Sequence, residues 1–252
     1  MRVFSKTDIG LVRHTNQDAC RTGLFPGGCA WAVVCDGMGG VNGGNIASEI
    51  AVESISQQLI SSFREGMPHS AVRNLILSAI MNANLEVHDK AMEDSELSGM
   101  GTTVVTAVVC GGVAHVAHAG DSRAYLISKG EIRQITTDHS MVQEMVAKGD
   151  LTEQQARRHP QKNIITRALG VEESIQTDYC EHPFALGDLL LLCTDGLTNY
   201  IDAETIAALA KQVESQELAL RLIEMAKEEG GGDNITVAVV ENELLTGVDM
   251  CG

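Results

Sequence analysis

Four short acidic motifs stand at the ends of apolar runs, and they constrain the fold of this chain more than any other feature. Three of the runs, 31–35, 113–119 and 189–193, are typical of β-strands that end just before an aspartate. The fourth run, 235–240, begins just after one. If this last strand pairs antiparallel with one of the others, the aspartates meet at one end of the sheet. The motifs are Asp36-Gly37-Met38-Gly39-Gly40, Gly120-Asp121-Ser122-Arg123, Thr194-Asp195-Gly196 and Gly232-Asp233-Asn234.

Such a convergence has an electrostatic consequence. Three or four carboxylates close together repel one another at neutral pH, so that either their pKa values rise or a cation neutralises them. Oxygen ligands favour Mg²⁺, Mn²⁺ or Ca²⁺ over zinc. Each motif alone is also common turn chemistry, but the repetition of the same strand-end context favours a site for divalent metal ions.

Taken in order, the motifs resemble those of the metal-dependent protein phosphatases of the 2C type, in particular the short bacterial members with one domain. The resemblance covers nearly the whole chain. It implies hydrolysis of phosphoserine and phosphothreonine on proteins, with Mn²⁺ or Mg²⁺ as cofactor and in opposition to a bacterial serine/threonine kinase. The matching residues are Arg13 with Asn16-Gln17-Asp18, Asp36-Gly37-Met38-Gly39-Gly40, Gly101-Thr102-Thr103, Gly120-Asp121-Ser122-Arg123, Asp138-His139-Ser140, Thr194-Asp195-Gly196-Leu197 and Asp233-Asn234-Ile235-Thr236.

The resemblance also implies which residues hold the metal ions. Asp36 would bridge two ions, and the Gly37 carbonyl is a further candidate ligand because the glycines let the backbone approach closely. Asp195 and Asp233 would complete the shell of the first ion. Asp121 corresponds to a ligand of a third, weaker ion in bacterial relatives.

The remaining site residues concern the phosphate and the water. Arg13 matches the phosphate-binding arginine of the family, and a planar guanidinium suits bidentate contact with two phosphate oxygens. Arg13 and Asp36 are therefore the predicted catalytic residues, and Asp18 would orient a water or join a metal shell. The alternatives are a solvated surface arginine for residue 13 and, for Asp121, a turn aspartate paired with Arg123. Two ions about 3.5–4 Å apart would activate a water for in-line attack, without a covalent intermediate.

Two positions depart from the family pattern. Gln17 stands where many relatives have glutamate, and Met38 stands where many eukaryotic relatives have a histidine proposed as general acid. A thioether cannot donate a proton, so His14 and His139 are the candidates for assisting the leaving alcohol. These departures support the alternative of a non-catalytic metal-binding regulator with the same fold. A nuclease or phosphodiesterase shares the carboxylates but requires a basic groove.

Composition narrows the class of protein and its partners. The 252 residues are 44% hydrophobic and no linker interrupts them, which favours one domain over 1–252. A net charge of -16 argues against nucleic acid or an anionic membrane as partner. The seven cysteines lack Cys-x-x-Cys spacing, and no apolar run could span a bilayer, as expected for a cytoplasmic protein. We expect a monomer that acts on phosphorylated proteins.

The pattern of apolar residues predicts an α+β fold, because strands alternate with pairs of helices and several connections are of hairpin type. The resemblance implies two antiparallel sheets packed as a central sandwich with helices on both outer sides, and a flap over the site at 140–165. The predicted strands cover 2–7, 31–35, an antiparallel meander within 102–135, 175–179, 188–193 and 235–240, and the predicted helices cover 45–60, 70–92, 140–158, 203–212 and 216–228.

Overall fold

The computed structural model of the chain describes residues 1–39 and 43–243. The last glycine of the first acidic motif, Gly40, and one of the seven cysteines, Cys251, lie outside the described residues, as do the other positions of 244–252 within the predicted domain.

Within the described residues, the strands form two antiparallel sheets. They are β1 (Arg2–Asp8), β2 (Asp18–Phe25), β3 (Cys29–Met38), β4 (Gly101–Thr102), β5 (Val104–Cys110), β6 (Val113–Ala119), β7 (Arg123–Ser128), β8 (Glu131–Gln134), β9 (Asp178–Pro183), β10 (Leu189–Cys193) and β11 (Ile235–Glu241). One sheet has the order β1-β11-β10-β7-β8, and the other has the order β2-β3-β5-β6-β9, with β4 paired to β3.

Helices cover the outer face of each sheet. The α-helices of the described residues are α1 (Gly44–Ser62), α2 (His69–Glu93), α3 (Met141–Lys148), α4 (Glu153–Arg157), α5 (Asp195–Thr198), α6 (Ala203–Ala210) and α7 (Ser215–Glu228). Helices α1 and α2 pack on the β3 sheet, and α6 and α7 pack on the β11 sheet. The predicted α+β sandwich with helices on both sides is confirmed.

The central strands are apolar throughout because both of their faces are covered. Side chains alternate between the two faces of a strand. In β3, one set of residues packs between the sheets, namely Ala30, Ala32 and Val34. The other set packs beneath α1 and α2, namely Trp31, Val33 and Cys35. This burial on both faces explains the unbroken apolar runs, in contrast to the alternation expected of a sheet with one solvated face.

The predicted meander over 102–135 is wrong. Strands β5 and β6 form a hairpin in one sheet, but β7 and β8 form a hairpin in the other. The chain crosses between the sheets at Gly120, whose φ of 109° suits glycine and turns the chain away from β5. Strand β7 instead pairs with β10, and β6 pairs with β9. The turn residues at 120–122 are the same for a hairpin and for a crossing, so the local signal did not separate them.

Two strand positions also differ from expectation. Strand β2 was not predicted, because it is an edge strand of mixed polarity whose residues are mostly only partly buried. The strand predicted at 175–179 lies at Asp178–Pro183. Both are outermost strands of the same sheet, where the apolar pattern is diluted because one side of the strand has no neighbour.

The segment 140–165 extends away from the sandwich, and its first and last residues lie next to each other. A bridge between Ser140 and Ile165 closes its base, and the Met141 N–H donates to the Ile164 carbonyl over 2.9 Å. It contains α3, whose N-cap is Ser140, and α4, which begins with a capping box formed by Thr152 and Gln155. The predicted helical stretch therefore divides into two short helices. Among residues 1–39 and 43–243, no helix has the length and apolar character needed to cross a bilayer.

Candidate metal centre and active site

The end of β10 and the start of β11 bring two of the predicted ligands together. These strands are antiparallel, with Cys193 opposite Val237, so Asp195 after β10 lies beside Asp233 before β11. The Thr194 N–H donates to the Thr236 carbonyl over 3.1 Å and continues the pairing beyond the strands. The two acidic motifs thus meet because of strand direction alone.

Two further carboxylates face each other across β2 and β3. Asp18 is directly opposite Asp36 in the register of these strands. The backbone of Asp36 is held on both sides, since its N–H donates to the Thr103 hydroxyl over 3.0 Å and its carbonyl accepts the Thr103 N–H over 2.8 Å. The Thr102 hydroxyl donates to the same carbonyl over 2.9 Å. These bonds leave the Asp36 carboxyl group as the part that faces the cluster.

Asp18 is the most buried member of the cluster. Its Oδ2 accepts hydrogen bonds from the hydroxyls of Thr194 over 2.9 Å and Thr236 over 2.7 Å. Its Oδ1 is buried and has no hydrogen-bond partner in the part of the chain that the structure describes. A buried carboxylate oxygen without a partner is costly unless something else, such as a cation or water, pairs with it.

The electrostatics of the cluster also indicate a cation site. Burial raises the pKa of Asp36 well above its usual range, and the charges of Asp18, Asp195 and Asp121 raise it further. Burial raises the pKa of Asp18 to about 7 and that of Asp121 to about 8, again with help from neighbouring carboxylates. Burial and the charge of Asp233 raise the pKa of Asp195 as well. The oxygen donors and the buried unpaired oxygen fit hard divalent ions, which would stabilise the charged carboxylates.

Arg13 lies at the rim of the cluster. Its Nε and Nη2 contact the two carboxylate oxygens of Asp233, each over 2.8 Å, and its side chain is half exposed. This bidentate pair raises the pKa of the guanidinium. Two of its five N–H groups serve Asp233, so three remain for another anion. Arg13 is therefore not a merely solvated arginine, although the pair itself is with a carboxylate.

Two residues outside the predicted site, Asn199 and Lys162, support Asp195. The Asn199 Nδ2 donates to the Asp195 Oδ2 over 2.9 Å, and Lys162 Nζ donates to the Asn199 Oδ1 over 2.5 Å. The signal for Asn199 was its position four residues after Asp195, which is helical spacing within and just after α5. Lys162 comes from the 140–165 segment and gave no sequence signal.

Asp121 does not form an ion pair with Arg123. Arg123 instead binds Asp138 through Nε and Nη2, with its shortest contact at 2.7 Å. The carboxyl group of Asp121 lines both clefts of this face. The alternative of a turn aspartate paired with Arg123 is therefore not what the structure shows.

A cleft of about 590 Å³ opens over the cluster. Met38, His14 and the buried Gly37 line it, together with Arg13 and four of the aspartates, Asp36, Asp121, Asp195 and Asp233. A second cleft of about 550 Å³ adjoins it beside the 140–165 segment and shares Asp121 and Asp195. His139 lines neither cleft, because it is buried behind the Gly120 turn. His14 thus remains the histidine on the cleft surface.

None of the cysteines that the structure describes lines the cleft. The six cysteines among the described residues are free thiols, and Cys35, Cys110 and Cys193 lie buried in strands as small core residues. Burial raises the pKa of the Cys193 thiol to about 12, so it stays protonated and is a poor nucleophile.

Gly196 is required where the two acidic motifs touch. A Cβ at this position would collide with the Asn234 carbonyl oxygen. We expect Gly196→Ala to lower the free energy of unfolding of the metal-free protein by about 3 kcal/mol, measured by urea denaturation. Gly28→Ala is the control, because Gly28 has a φ of 74° but no atom within 4 Å of its would-be Cβ. It should cost only the backbone strain of about 1 kcal/mol. Equal losses in both variants would contradict the prediction.

Comparison with known proteins decides the family. A family model described as Protein phosphatase 2C matches residues 12–228. The chain belongs to the protein phosphatase 2C family. A serine/threonine phosphatase, stp, of Listeria innocua is 38% identical over 251 residues, which cover 97% of both chains. The 2C-type chain described here is accordingly a protein-serine/threonine phosphatase.

Solved structures of 2C-type phosphatases agree. The serine/threonine phosphatase of S. agalactiae superposes with a TM-score of 0.88 at 36% identity, over 96% of this chain and 99% of that one. The catalytic domain of the phosphatase PstP, solved in complex with two manganese ions, has a TM-score of 0.83 at 32% identity, over 94% and 96% of the two chains. The 2C family is metal-dependent, and its members act on phosphoproteins.

Proposed function

We propose that this phosphatase hydrolyses phosphoserine and phosphothreonine on proteins with two divalent ions, Mn²⁺ or Mg²⁺, and a water that they activate. The observation that supports this best is the meeting of buried aspartates with raised pKa values at one end of the sandwich. Asp36 and the Gly37 carbonyl would hold the ions together with Asp195 and Asp233. The relative with two manganese ions, PstP, supports the same number of ions here.

In the proposed hydrolysis, the metal ions and the protein side chains have different roles. When bound, two divalent ions lower the pKa of a water for in-line attack on phosphorus and neutralise charge on the phosphate. Arg13 would bind two phosphate oxygens through its remaining N–H groups and orient the phosphorus toward the cluster. The Asn199 amide holds Asp195 in place, and the threonine hydroxyls hold Asp18. No cysteine is needed as nucleophile.

Asp18 and Asp121 would have supporting metal roles. The unpartnered Oδ1 of Asp18 is suited to orient a water of the metal site or to join a metal shell. Asp121 lies where the two clefts meet, and we assign it to a third, weaker ion. Arg123 is paired with Asp138, which leaves the Asp121 carboxyl for this purpose.

The family and the composition support proposals about the domain organisation, location, oligomeric state and substrates of the enzyme. We propose that residues 1–252 form one phosphatase domain with a flap at 140–165, and that it is a cytoplasmic monomer. Its substrates would be phosphorylated by a cognate serine/threonine kinase, whose action it reverses. The closed base of the 140–165 segment and its position beside the second cleft support the flap assignment.

The experiment for this proposal is phosphate release from a phosphothreonine peptide. We expect turnover with Mn²⁺ or Mg²⁺, none with EDTA, and recovery when Mn²⁺ is added in excess of the chelator, because the oxygen donors bind these ions reversibly. Thermal unfolding of the EDTA-treated protein is the control for folding. Turnover that persists in EDTA, or no turnover by a folded protein with bound Mn²⁺, would contradict the proposal.

A further inference from the structure

His139 holds three backbone groups at the junction of the Asp121 turn and the flap segment. Its N–H donates to the Gly120 carbonyl over 2.9 Å, and its carbonyl accepts the Thr166 N–H over 2.8 Å. Its ring Nδ1 accepts the Gly120 N–H over 3.1 Å. One residue therefore binds both the N–H and the carbonyl of Gly120, which immediately precedes Asp121.

The contact with Gly120 defines the role of one ring nitrogen. A backbone N–H only donates, so the Nδ1 of His139 accepts this hydrogen bond and is unprotonated. The other ring nitrogen, Nε2, lies 3.3 Å from the Asp178 Oδ2 and 3.0 Å from the Arg167 Nη1. The Arg167 Nη1 binds the Asp178 Oδ1 over 2.8 Å and holds the carboxylate in place. The arrangement Asp178–His139–Gly120 thus orients the acceptor toward the turn.

The ring plane is fixed as well. His139 stacks on His118 with ring centroids 4.7 Å apart and an angle of 7° between the planes. The His118 Nε2 is bound to the Thr137 carbonyl over 2.8 Å. His118, His139 and Asp178 are close enough together to suggest a metal site. The Arg167 guanidinium lies 3.0 Å from the His139 Nε2. Its positive charge opposes the binding of a metal ion by these three residues.

We propose that His139 is a positioning residue, which fixes the Gly120 peptide and thereby the Asp121 carboxylate for the third ion. This inference rests on the role given to Asp121 under the proposed function. Gly120 has a φ of 109° and no side chain of its own to restrict it, so the turn depends on bonds from outside. Because His139 also binds Thr166 at the base of the flap segment, the same residue links the flap to the Asp121 turn.

The first test isolates the ring nitrogen. His139→Asn places a side-chain oxygen near the position of Nδ1, whereas His139→Gln places it nearer to Nε2, away from Gly120. Hydrogen exchange of the Gly120 amide, measured by NMR on the metal-free protein, is the readout. We expect exchange within about threefold of wild type in His139→Asn and at least about tenfold faster in His139→Gln. Equal exchange in wild type and both variants, or equal acceleration in both variants, would overturn the inference.

The second test measures how the substitution of His139 changes metal binding. Mn²⁺ titration by calorimetry identifies the third ion as the one lost in Asp121→Asn. We expect His139→Gln to weaken this ion about 10–100-fold, as residues that orient metal ligands do, and to leave the two tighter ions unchanged. In the Asp121→Asn background, His139→Gln should have no further effect on Mn²⁺ binding. A further loss in that background would show an effect that does not pass through Asp121 and would refute the inference.

Failure of the proposed function has a different signature. If Asp121→Asn binds Mn²⁺ as wild type does, the third-ion role of Asp121 is wrong, and the metal-binding consequence of His139 is wrong with it. The exchange of the Gly120 amide still reports on the hydrogen bond itself, because that measurement uses the metal-free protein.

Discussion

Asp36→Asn is expected to lower kcat/KM for a phosphothreonine peptide at least about 10³-fold at saturating Mn²⁺, which corresponds to about 4 kcal/mol of lost transition-state stabilisation. The reason is that Asp36 lies at the centre of the cluster, where its pKa is raised by burial and by the charges of Asp18, Asp195 and Asp121. Mn²⁺ titration of the same variant should show loss of the tight ions. An activity within tenfold of wild type would refute the proposal that Asp36 holds the ions.

The same substitution should stabilise the metal-free protein. A carboxyl group whose pKa is higher in the folded than in the unfolded state makes the folded state less stable as pH rises between the two values. Asparagine removes this carboxyl group, so at pH 8 we expect Asp36→Asn to gain at least about 1 kcal/mol in EDTA. The gain should shrink as pH falls toward the ordinary pKa of a carboxyl group, because the penalty of the raised pKa disappears once the wild-type carboxyl is protonated in both the folded and the unfolded state.

A matched control is Asp188→Asn. Asp188 is also a buried aspartate, but it accepts the Ala185 N–H over 2.8 Å at a turn and lines neither cleft. We expect this variant to keep wild-type affinity for Mn²⁺ and to lose stability in EDTA. A gain in stability by Asp188→Asn as well would show that the effect is not specific to the carboxylate cluster.

Arg13→Ala is expected to lower kcat/KM about 100-fold, with most of the change in KM. Two charge-assisted hydrogen bonds to phosphate contribute about 3 kcal/mol together, and an arginine that binds the phosphate of the substrate acts on substrate and transition state alike. Steady-state kinetics with the phosphothreonine peptide measures the effect. Arg13→Lys should recover only part of the activity, because lysine keeps the charge but loses the bidentate geometry.

Arg21→Ala separates this effect from a general loss of positive charge. Arg21 is a half-exposed arginine paired with Glu53, and it lines neither cleft. Its removal changes the net charge as Arg13→Ala does, but it should leave kcat/KM within about twofold, because a surface ion pair contributes little. If the two variants lost activity equally, Arg13 would act through the net charge and not through contact with phosphate.

The strands that border the site could be predicted because their sequences carry strong signals. Strands β3, β10 and β11 are buried on both faces, so their apolar runs are continuous. The runs of β3 and β10 end close to Asp36 and Asp195, and the run of β11 begins just after Asp233. The sequence left open which of the other strands pairs antiparallel with β11, and the structure shows that it is β10. The edge strand β2 was missed, although it carries Asp18, because an edge strand has no need for a continuous apolar sequence.

The crossing at Gly120 and the supports of the ligands could not be predicted from the sequence. A glycine followed by aspartate predicts a turn, but the partner of the following strand depends on residues far along the chain, here those of β10. Likewise, Lys162 and Asn199 meet only because the 140–165 segment folds back beside α5. Such contacts join positions with no common periodicity, so no local pattern indicates them.

The amino-acid sequence by itself determined the α+β class and the identities of the acidic residues, since strand burial and oxygen-donor chemistry are local properties of residue type. The packing of two sheets as a sandwich was implied by the resemblance to the 2C family and not by the pattern of apolar residues. The tertiary structure alone decided the environment of each carboxylate. Within the described residues, Asp18 has one oxygen without a hydrogen-bond partner, Asp233 is paired with Arg13, and Arg123 is paired with Asp138 and not with Asp121. The physical reason is that burial and Coulomb interactions depend on distances between residues remote in sequence, which the chain sets only when it is folded.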